Sequence, residues 1–291
     1  MPQGKRILEV SAESSRILLK DAIQYALSVE GSGFRERLSL AAAAASGLPT
    51  RDGAAIAKAL EYFHHASLIL DDLPSMDDAA ERRGQPTVHL VYGESRAQLT
   101  ALALINRAYI TCWQTACQYP ERASAAARLV SSTVGEYGIL DGQDRDLHYT
   151  SSFGTKEVSR IAVLKTGCLL KLVLLLPAVL GGASVSELLA LGRLARAWGR
   201  LYQGIDDFKD LLLGGLGTGK TPYRDLAHNR PNLVHALGPE AAAMELQELL
   251  GEADAHIESA CGQNSAWDCL RAYQAEFRSR AEILGEAVQA A

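Results

Sequence analysis

The sequence predicts an all-α protein, and three observations carry that prediction. Alanine and leucine dominate the 291 residues while aromatic residues make up only 6%, a mixture that favours helix over strand. Apolar residues recur at three- and four-residue spacing along most of the chain, as helices with one buried face require. No stretch alternates apolar and polar residues at period two, and no strand–helix–strand rhythm is present.

In chain order, helices are expected at 13–29, 36–46, 51–72, 93–117, 122–147, 155–180, 185–213, 239–260 and 264–289. Glycine and proline punctuate the gaps: GSG at 31–33, SGLPTRDG at 46–53, RRGQP at 82–86, Gly181–Gly182, and the stretch 214–238. Such residues end helices or supply backbone conformations that other residues resist. With no internal repeat and no low-complexity linker, one domain over 1–291 is expected.

Composition narrows the function. A net charge of −5 argues against nucleic acid as a partner, though not against a small anion in a local basic pocket. The five cysteines, at 112, 117, 168, 261 and 269, are odd in number and lack metal-ligand spacing, so free thiols in a reducing cytoplasm are expected. The N-terminal MPQGKRILEVSAESSR has no signal-type apolar core. The apolar run LLKLVLLLPAVL (169–180) holds Lys171 and Pro177; it is short for a membrane span and reads as a helix buried in protein.

GGLGTGKT (214–221) satisfies the letters of a nucleotide-binding P-loop. That motif works only where a buried strand leads into a helix whose amides face the phosphates. Here a helix-like run precedes it and Pro222 follows. The glycines are expected to form a loop instead.

Two acidic stretches carry the chemistry: LILDDLPSMDDAAERRG (68–84) and YQGIDDFKD (202–210). Asp206 and Asp210 are four apart, which on a helix puts both carboxylates on one face. Asp71 and Asp77 are six apart, but Pro74 between them breaks the helix and lets the chain bring Asp77 back. Hard oxygen donors suit Mg²⁺, which binds a few carboxylates and completes its shell with water and phosphate oxygens. Arg82 and Arg83 add forked donors suited to phosphate. A metal-bound diphosphate on an apolar body fits this combination.

These stretches resemble the two aspartate-rich motifs of the trans-isoprenyl diphosphate synthases, or polyprenyl synthetases. DDLPSMDDAAERRG is similar to D-D-x-x-x-x-D followed by R-R-G, and YQGIDDFKD to F-Q-x-x-D-D-x-x-D. HHASLILDD, RRGQPTVHLVYGE, LKTGCLL and TGK fall in the family order. The likeness runs from about 16 to 238 and continues more weakly beyond. The variant HHASLILDDLPSMDD most resembles bacterial geranylgeranyl diphosphate synthases.

The resemblance implies an isoprenoid-synthase-type helical bundle around a deep central cavity, with the acidic motifs facing each other across its mouth. It implies that Asp71, Asp77, Asp206 and Asp210 ligate Mg²⁺, three ions in all, with Asp72 and Asp207 in support. Arg82, Lys165 and Lys220 would hold the allylic diphosphate. Lys165, Thr166 and Gln203 would stabilise the allylic cation through their dipoles, and Arg35, His64 and Arg83 would bind isopentenyl diphosphate. Homodimers are common in the family.

One departure concerns the second substrate. The family's G-G-K-R-x-R-P lysine falls on Ser32 and its first arginine on Gly33, with Arg35 retained and Arg37 expected to compensate in part. A charge-assisted hydrogen bond is worth ~1.5–3 kcal/mol. Losing the lysine would therefore weaken binding roughly ten- to a hundredfold. RPN (230–232) also replaces the usual K-x-T. Three readings stand at this point: a chain-elongating prenyltransferase, a terpene synthase-like enzyme that ionises an allylic diphosphate and cyclises or hydrolyses it, and a non-catalytic partner subunit.

Product length follows from Ala66 and Ser67, one turn before the first motif. Both are small, which implies a geranylgeranyl product rather than farnesyl. Of the remaining residues, Gln143 and Asp144 are expected near the cavity. His65, His89 and His148 read as structural or surface residues, and Trp113, Trp198 and Trp267 as packing.

Overall fold

Residues 18–29, 31–212 and 230–290 are described by a computed structural model, and their regular structure is almost entirely helical. The chain forms α1 (Leu19–Ser28), α2 (Phe34–Ala45) and α3 (Thr50–Asp71), then a two-residue hairpin, β1 (Glu81–Arg82) and β2 (Gln85–Pro86). Next come α4 (Val88–Tyr92), α5 (Glu94–Ala116), α6 (Pro120–Val134) and α7 (Ile139–Leu147). After them stand α8 (Gly154–Ala162), α9 (Cys168–Gly181) and α10 (Val185–Leu212). Beyond residue 229 lie α11 (Leu233–Leu237), α12 (Pro239–Gln263) and α13 (Leu270–Ala290).

Local chemistry sets these boundaries. Asp21 accepts a hydrogen bond from the Leu18 amide at the start of α1, while Pro120 and Pro239 occupy the first positions of α6 and α12, where a missing N–H costs nothing. The Asn232 side chain accepts from the amides of Val234 and His235 and caps α11. Gly182 ends α9 with φ of +83°, a conformation glycine adopts without steric cost.

The apolar run at 169–180 becomes the centre of the fold. In α9, Leu170, Leu172, Val173, Leu174 and Leu176 are almost completely buried, against α2, α6 and α10. With α8 it forms a helix long and apolar enough to cross a membrane by length and composition, yet most of that apolar window is buried in protein. One core joins residues from Phe34 to Leu284, and a smaller one gathers Ile23, Ala26, Ala66, Ile69 and Leu104. Trp198 and Trp267 are buried and donate their indole N–H groups to Gln274 and Glu187. Trp113, expected to be packing, is instead 54% exposed.

Two expected helices differ. The helix anticipated at 122–147 is interrupted at Gly135 and Gly138, where a Cβ would fall 2.4 Å from the Ser131 carbonyl and 2.0 Å from that of Thr133. Only glycine fits both positions, so the chain turns there. The helix anticipated at 155–180 widens into a π turn over Val163–Gly167. Such turns release backbone groups from the regular ladder and often mark functional positions.

Candidate active site

The first acidic segment begins where α3 stops. Pro74 cannot continue the helix, and the chain curls until the Asp77 amide donates to the Asp71 carbonyl at 2.9 Å. Asp77 is thereby brought back beside Asp71, as the sequence predicts. Asp72 points away from that pair: it is buried and bound by Arg82 through Nε at 2.8 and 2.9 Å and Nη2 at 2.6 Å.

The β1–β2 hairpin then separates two adjacent arginines. Arg83 and Gly84 have φ of +55° and +75°, the pair of left-handed residues that a tight primed turn demands. Arg82 reaches Asp72, whereas Arg83 donates to the Val29 carbonyl and approaches His64 Nε2 at 3.4 Å. A Cβ on Gly31 would fall 2.7 Å from the Arg83 guanidinium, so that glycine makes room for it.

Arg35 comes to the same histidine, with Nη1 at 3.3 Å from Nε2. Its guanidinium lies 5.2 Å from the Tyr202 ring centre, a cation–π distance. Burial, reinforced by Arg35 and Arg83, holds the His64 imidazole well below its ordinary range; it is neutral and presents a lone pair to the arginines. Arg35, His64 and Arg83 thus converge from α2, α3 and the hairpin. Arg37 does not join them. It bonds the Ser32 carbonyl at 2.9 Å and pairs with Glu276 of α13 at 3.1 Å, so the expected compensation for the missing lysine is absent from this arrangement.

Lys165 and Thr166 lie in the π turn, and each is held from a different side. Lys165 Nζ donates to Asp146 of α7 at 2.7 Å. Thr166 Oγ1 donates to Gln203 of α10 at 3.1 Å. Both partners sit four residues, about one turn, beyond a contact glycine. A Cβ on Gly142 would meet the Lys165 amide nitrogen at 2.5 Å, and one on Gly199 would meet Gly167 Cα at 2.4 Å. Two bare helix surfaces therefore clasp the π turn, and the next turn of each supplies the polar hand.

Gln203 passes the arrangement on to Asp207 at 2.9 Å, and Asp207 accepts the Leu233 amide at 2.7 Å. Asp207 is 1% exposed; one oxygen accepts from Gln203 within α10 and the other ties α10 to α11 through the Leu233 amide, a structural duty. Asp206, by contrast, faces outward with Lys209 at 3.5 Å, and Asp210 is half-buried on the same face of α10. Lys220 and the rest of GGLGTGKT lie outside the described residues. The element ahead of that stretch is the helix α10, which excludes the strand a P-loop needs.

Asp146 and Arg230 are the residues that sequence reasoning underrated. Asp146 is 7% exposed and holds Lys165, with Arg230 Nη1 at 3.6 Å. Its signal was the four-residue spacing from Gly142. Of the two residues expected there, Gln143 approaches the Met76 sulfur at 3.9 Å, while Asp144 pairs with His148 on the surface. Ala66 is buried in the smaller core, whereas Ser67 shares the Asp71 face of α3 and bonds the His64 carbonyl. His65 lies beside Glu61 and His89 beside Thr87, both without a site role here.

The charges around Asp71 are unevenly balanced. Burial, with Asp77 and Asp146 nearby and Lys165 and Arg82 opposing, pushes the Asp71 carboxyl up to about 6. Burial alone would lower Lys165, but Asp71, Asp146 and Asp77 outweigh it and raise the ammonium above its ordinary range. A carboxylate short of positive charge beside other hard oxygen donors fits a small divalent cation. Among the described residues no three acidic, histidine or cysteine side chains converge tightly enough to hold a metal alone.

Known proteins resemble this chain closely. The family described as Polyprenyl synthetase matches residues 16–263. A geranylgeranyl diphosphate synthase from Cereibacter sphaeroides is 36% identical over 258 residues, covering 88% of this chain and 86% of the relative. One from Pseudescherichia vulneris is 36% identical over 212 residues, covering 72% and 67%. Among solved structures, a Helicobacter pylori geranyltransferase complexed with magnesium and isoprenyl diphosphate superposes with a TM-score of 0.78, 25% identity, and coverage of 95% and 91%. A Zymomonas mobilis FPP/GFPP synthase gives 0.74 and 27% identity, covering 88% and 86%.

Proposed function

This chain belongs to the polyprenyl synthetase family, and from that premise we propose that it is a Mg²⁺-dependent transferase condensing isopentenyl diphosphate with an allylic diphosphate. The observation that carries the reading is the pair of separate cationic groupings. Lys165, Arg82 and Arg230 stand at the acidic segment, and Arg35 and Arg83 meet at His64. Two diphosphates need two such places.

Asp71, Asp77, Asp206 and Asp210 would hold the metal, three ions by family analogy; bound there, it supplies Lewis-acid stabilisation of the departing diphosphate. Lys165, kept charged and oriented by Asp146, binds that diphosphate together with Arg82 and Lys220. As the allylic C–O bond breaks, the Thr166 hydroxyl and the Gln203 amide, fixed on each other, direct their dipoles at the cation. The isopentenyl double bond, held by Arg35, His64 and Arg83, supplies the electron pair for the new C–C bond. A proton then leaves to the released diphosphate, and the double bond re-forms. No protein nucleophile takes part.

The growing chain passes beneath the first acidic segment along the Asp71 face of α3, where Ser67 leaves room for a geranylgeranyl product. A second copy covers the exposed stripe Leu99, Leu102, Ile110 and Trp113 on α5. Their three-, eight- and three-residue steps keep them on one side of the helix, and an apolar patch of this kind marks an interface. The free cysteines suit a reducing cytoplasm.

The ionising but non-condensing reading has one observation in its favour: Ser32 leaves the isopentenyl site a cation short. To test the proposal, transfer of label from isopentenyl diphosphate is followed with EDTA and in Asp71→Asn and Asp206→Asn. Transfer should cease in EDTA and fall roughly a hundred- to a thousandfold in each variant, the cost of a lost transition-state contact. An undiminished rate without metal would overturn the metal-dependent mechanism.

A further inference from the structure

Arg230 stands where the family's K-x-T has its lysine, and the structure gives its side chain contacts that the motif does not predict. Its backbone is fixed to the second acidic segment: Leu233, three residues on, bonds Asp207, and Asn232 caps α11. Its side chain crosses to the first. Nη2 donates to Asp77 Oδ1 at 2.9 Å and to the Met76 carbonyl at 3.2 Å. Nη1 donates to the Asp146 carbonyl at 3.1 Å and lies 3.6 Å from the Asp146 carboxylate. The side chain is only 10% exposed, and its Nε is buried without a hydrogen-bond partner.

A buried guanidinium with one unsatisfied donor pays a desolvation cost that its carboxylate contacts must offset. An arginine serves here because its planar fork reaches two acidic groups at once, which a lysine ammonium at the end of a flexible stem does not. The carboxylate it grips, that of Asp77, is one of the four that would hold a divalent cation.

We propose that Arg230 is the resident counter-cation of the metal site. It neutralises Asp77 and spans the two acidic segments while metal is absent. It gives up Asp77 when a divalent cation binds, and retains its hold on Asp146. The freed Nη2 edge then faces incoming diphosphate. Metal and guanidinium are thus alternative partners of one carboxylate, so metal binds weakly until diphosphate arrives to engage the arginine. This rests on the reading of Asp77 as a metal ligand.

The test is titration of the full chain with Mn²⁺ alone, without diphosphate, following free Mn²⁺ by EPR. Wild type, Arg230→Lys, Arg230→Met and Asp77→Asn are compared after circular dichroism confirms that each is folded. Arg230→Met should bind Mn²⁺ roughly ten- to a hundredfold more tightly, since one charge-assisted hydrogen bond no longer competes. Arg230→Lys should fall between, because it keeps the charge and loses the bridging fork. Unchanged or weaker binding in Arg230→Met would overturn the proposal. So would a wild-type affinity in Arg230→Lys beside a raised one in Arg230→Met, which would trace the effect to bulk charge. If Asp77→Asn binds Mn²⁺ as wild type does, the ligand role of Asp77 fails and the proposal with it. If Asp77→Asn binds weakly while both Arg230 variants match wild type, only the counter-cation role fails.

Discussion

Lys165 Nζ lies 2.7 Å from Asp146 Oδ2, and this contact fixes the ammonium of the π turn near Asp71 and Asp77. Asp146→Asn keeps the shape but removes the charge that answers Lys165 and Arg230. Breaking such a partly buried pair costs on the order of 3 kcal/mol at most. The expected result is a lower urea midpoint together with a raised KM for the allylic substrate. A drop in stability with unchanged KM would show that Asp146 does not position Lys165.

Gly199 and Gly192 lie on one helix and should respond oppositely to alanine. At Gly199 the new Cβ would press on Gly167 Cα at 2.4 Å, and overpacking of backbone on backbone costs ~1–3 kcal/mol. It would also pull Gln203 from Thr166, so kcat should fall with stability. At Gly192 the nearest atom is Leu175 Cδ2 at 3.9 Å, and alanine should add ~0.5–1 kcal/mol through helix propensity. Denaturation midpoints of the two variants check the pair.

His64 predicts a pH dependence. Its folded imidazole is held well below 6.5, first by burial and then by Arg35 and Arg83, with His65 and Arg82 adding to the effect. In the unfolded chain it takes a proton near pH 6.5. The unfolded state therefore binds more protons as pH falls, and folding stability declines from about pH 6.5 downward to the folded value. Above 6.5 the contribution is complete. His64→Gln should flatten this part of the stability profile between pH 7 and 5, measured by urea unfolding at each pH. An unaltered slope would contradict a neutral, buried His64.

Ser67 and Ala66 should act differently as bulky substitutions. Ser67 shares the Asp71 face of α3, so Ser67→Phe should shorten the product while leaving condensation intact. Ala66 is 1% exposed among Ile23, Ala26 and Leu104. Ala66→Phe should instead lower stability by ~1–3 kcal/mol. Chromatography of the products with melting curves distinguishes the two effects. Equal product lengths from Ser67→Phe and wild type would place the floor elsewhere.

The α5 stripe is tested by paired charge. Wild type should sediment as a dimer, and Leu102→Glu with Trp113→Glu should sediment as a monomer. A double variant that remains dimeric would move the interface off α5.

The acidic segments were legible because their spacing encodes geometry. Pro74 announces the end of α3, and the Asp77 amide duly returns to the Asp71 carbonyl; Asp206 and Asp210 do fall on one helix. The π turn at 163–167 was not legible, since the residues packed against it, Gly142 and Gly199, are distant in sequence. Asp146 and Arg230 escaped for the same reason. Each looks like an ordinary charge until the fold brings α7 and the α11 entry against the first acidic segment. The break at 135–138 was readable in principle from two glycines three apart, but the apolar periodicity on either side masked it. The hairpin at 81–86 hid within a short turn signal, and only the structure reveals that it sends Arg82 and Arg83 to different sites.

The most direct measurement is the product formed from labelled isopentenyl diphosphate, an allylic diphosphate primer and Mg²⁺. A longer prenyl diphosphate carrying the label, with geranylgeranyl as the end point, is the predicted result. Consumption of the primer to an alcohol or hydrocarbon, with all label left in isopentenyl diphosphate, would contradict it.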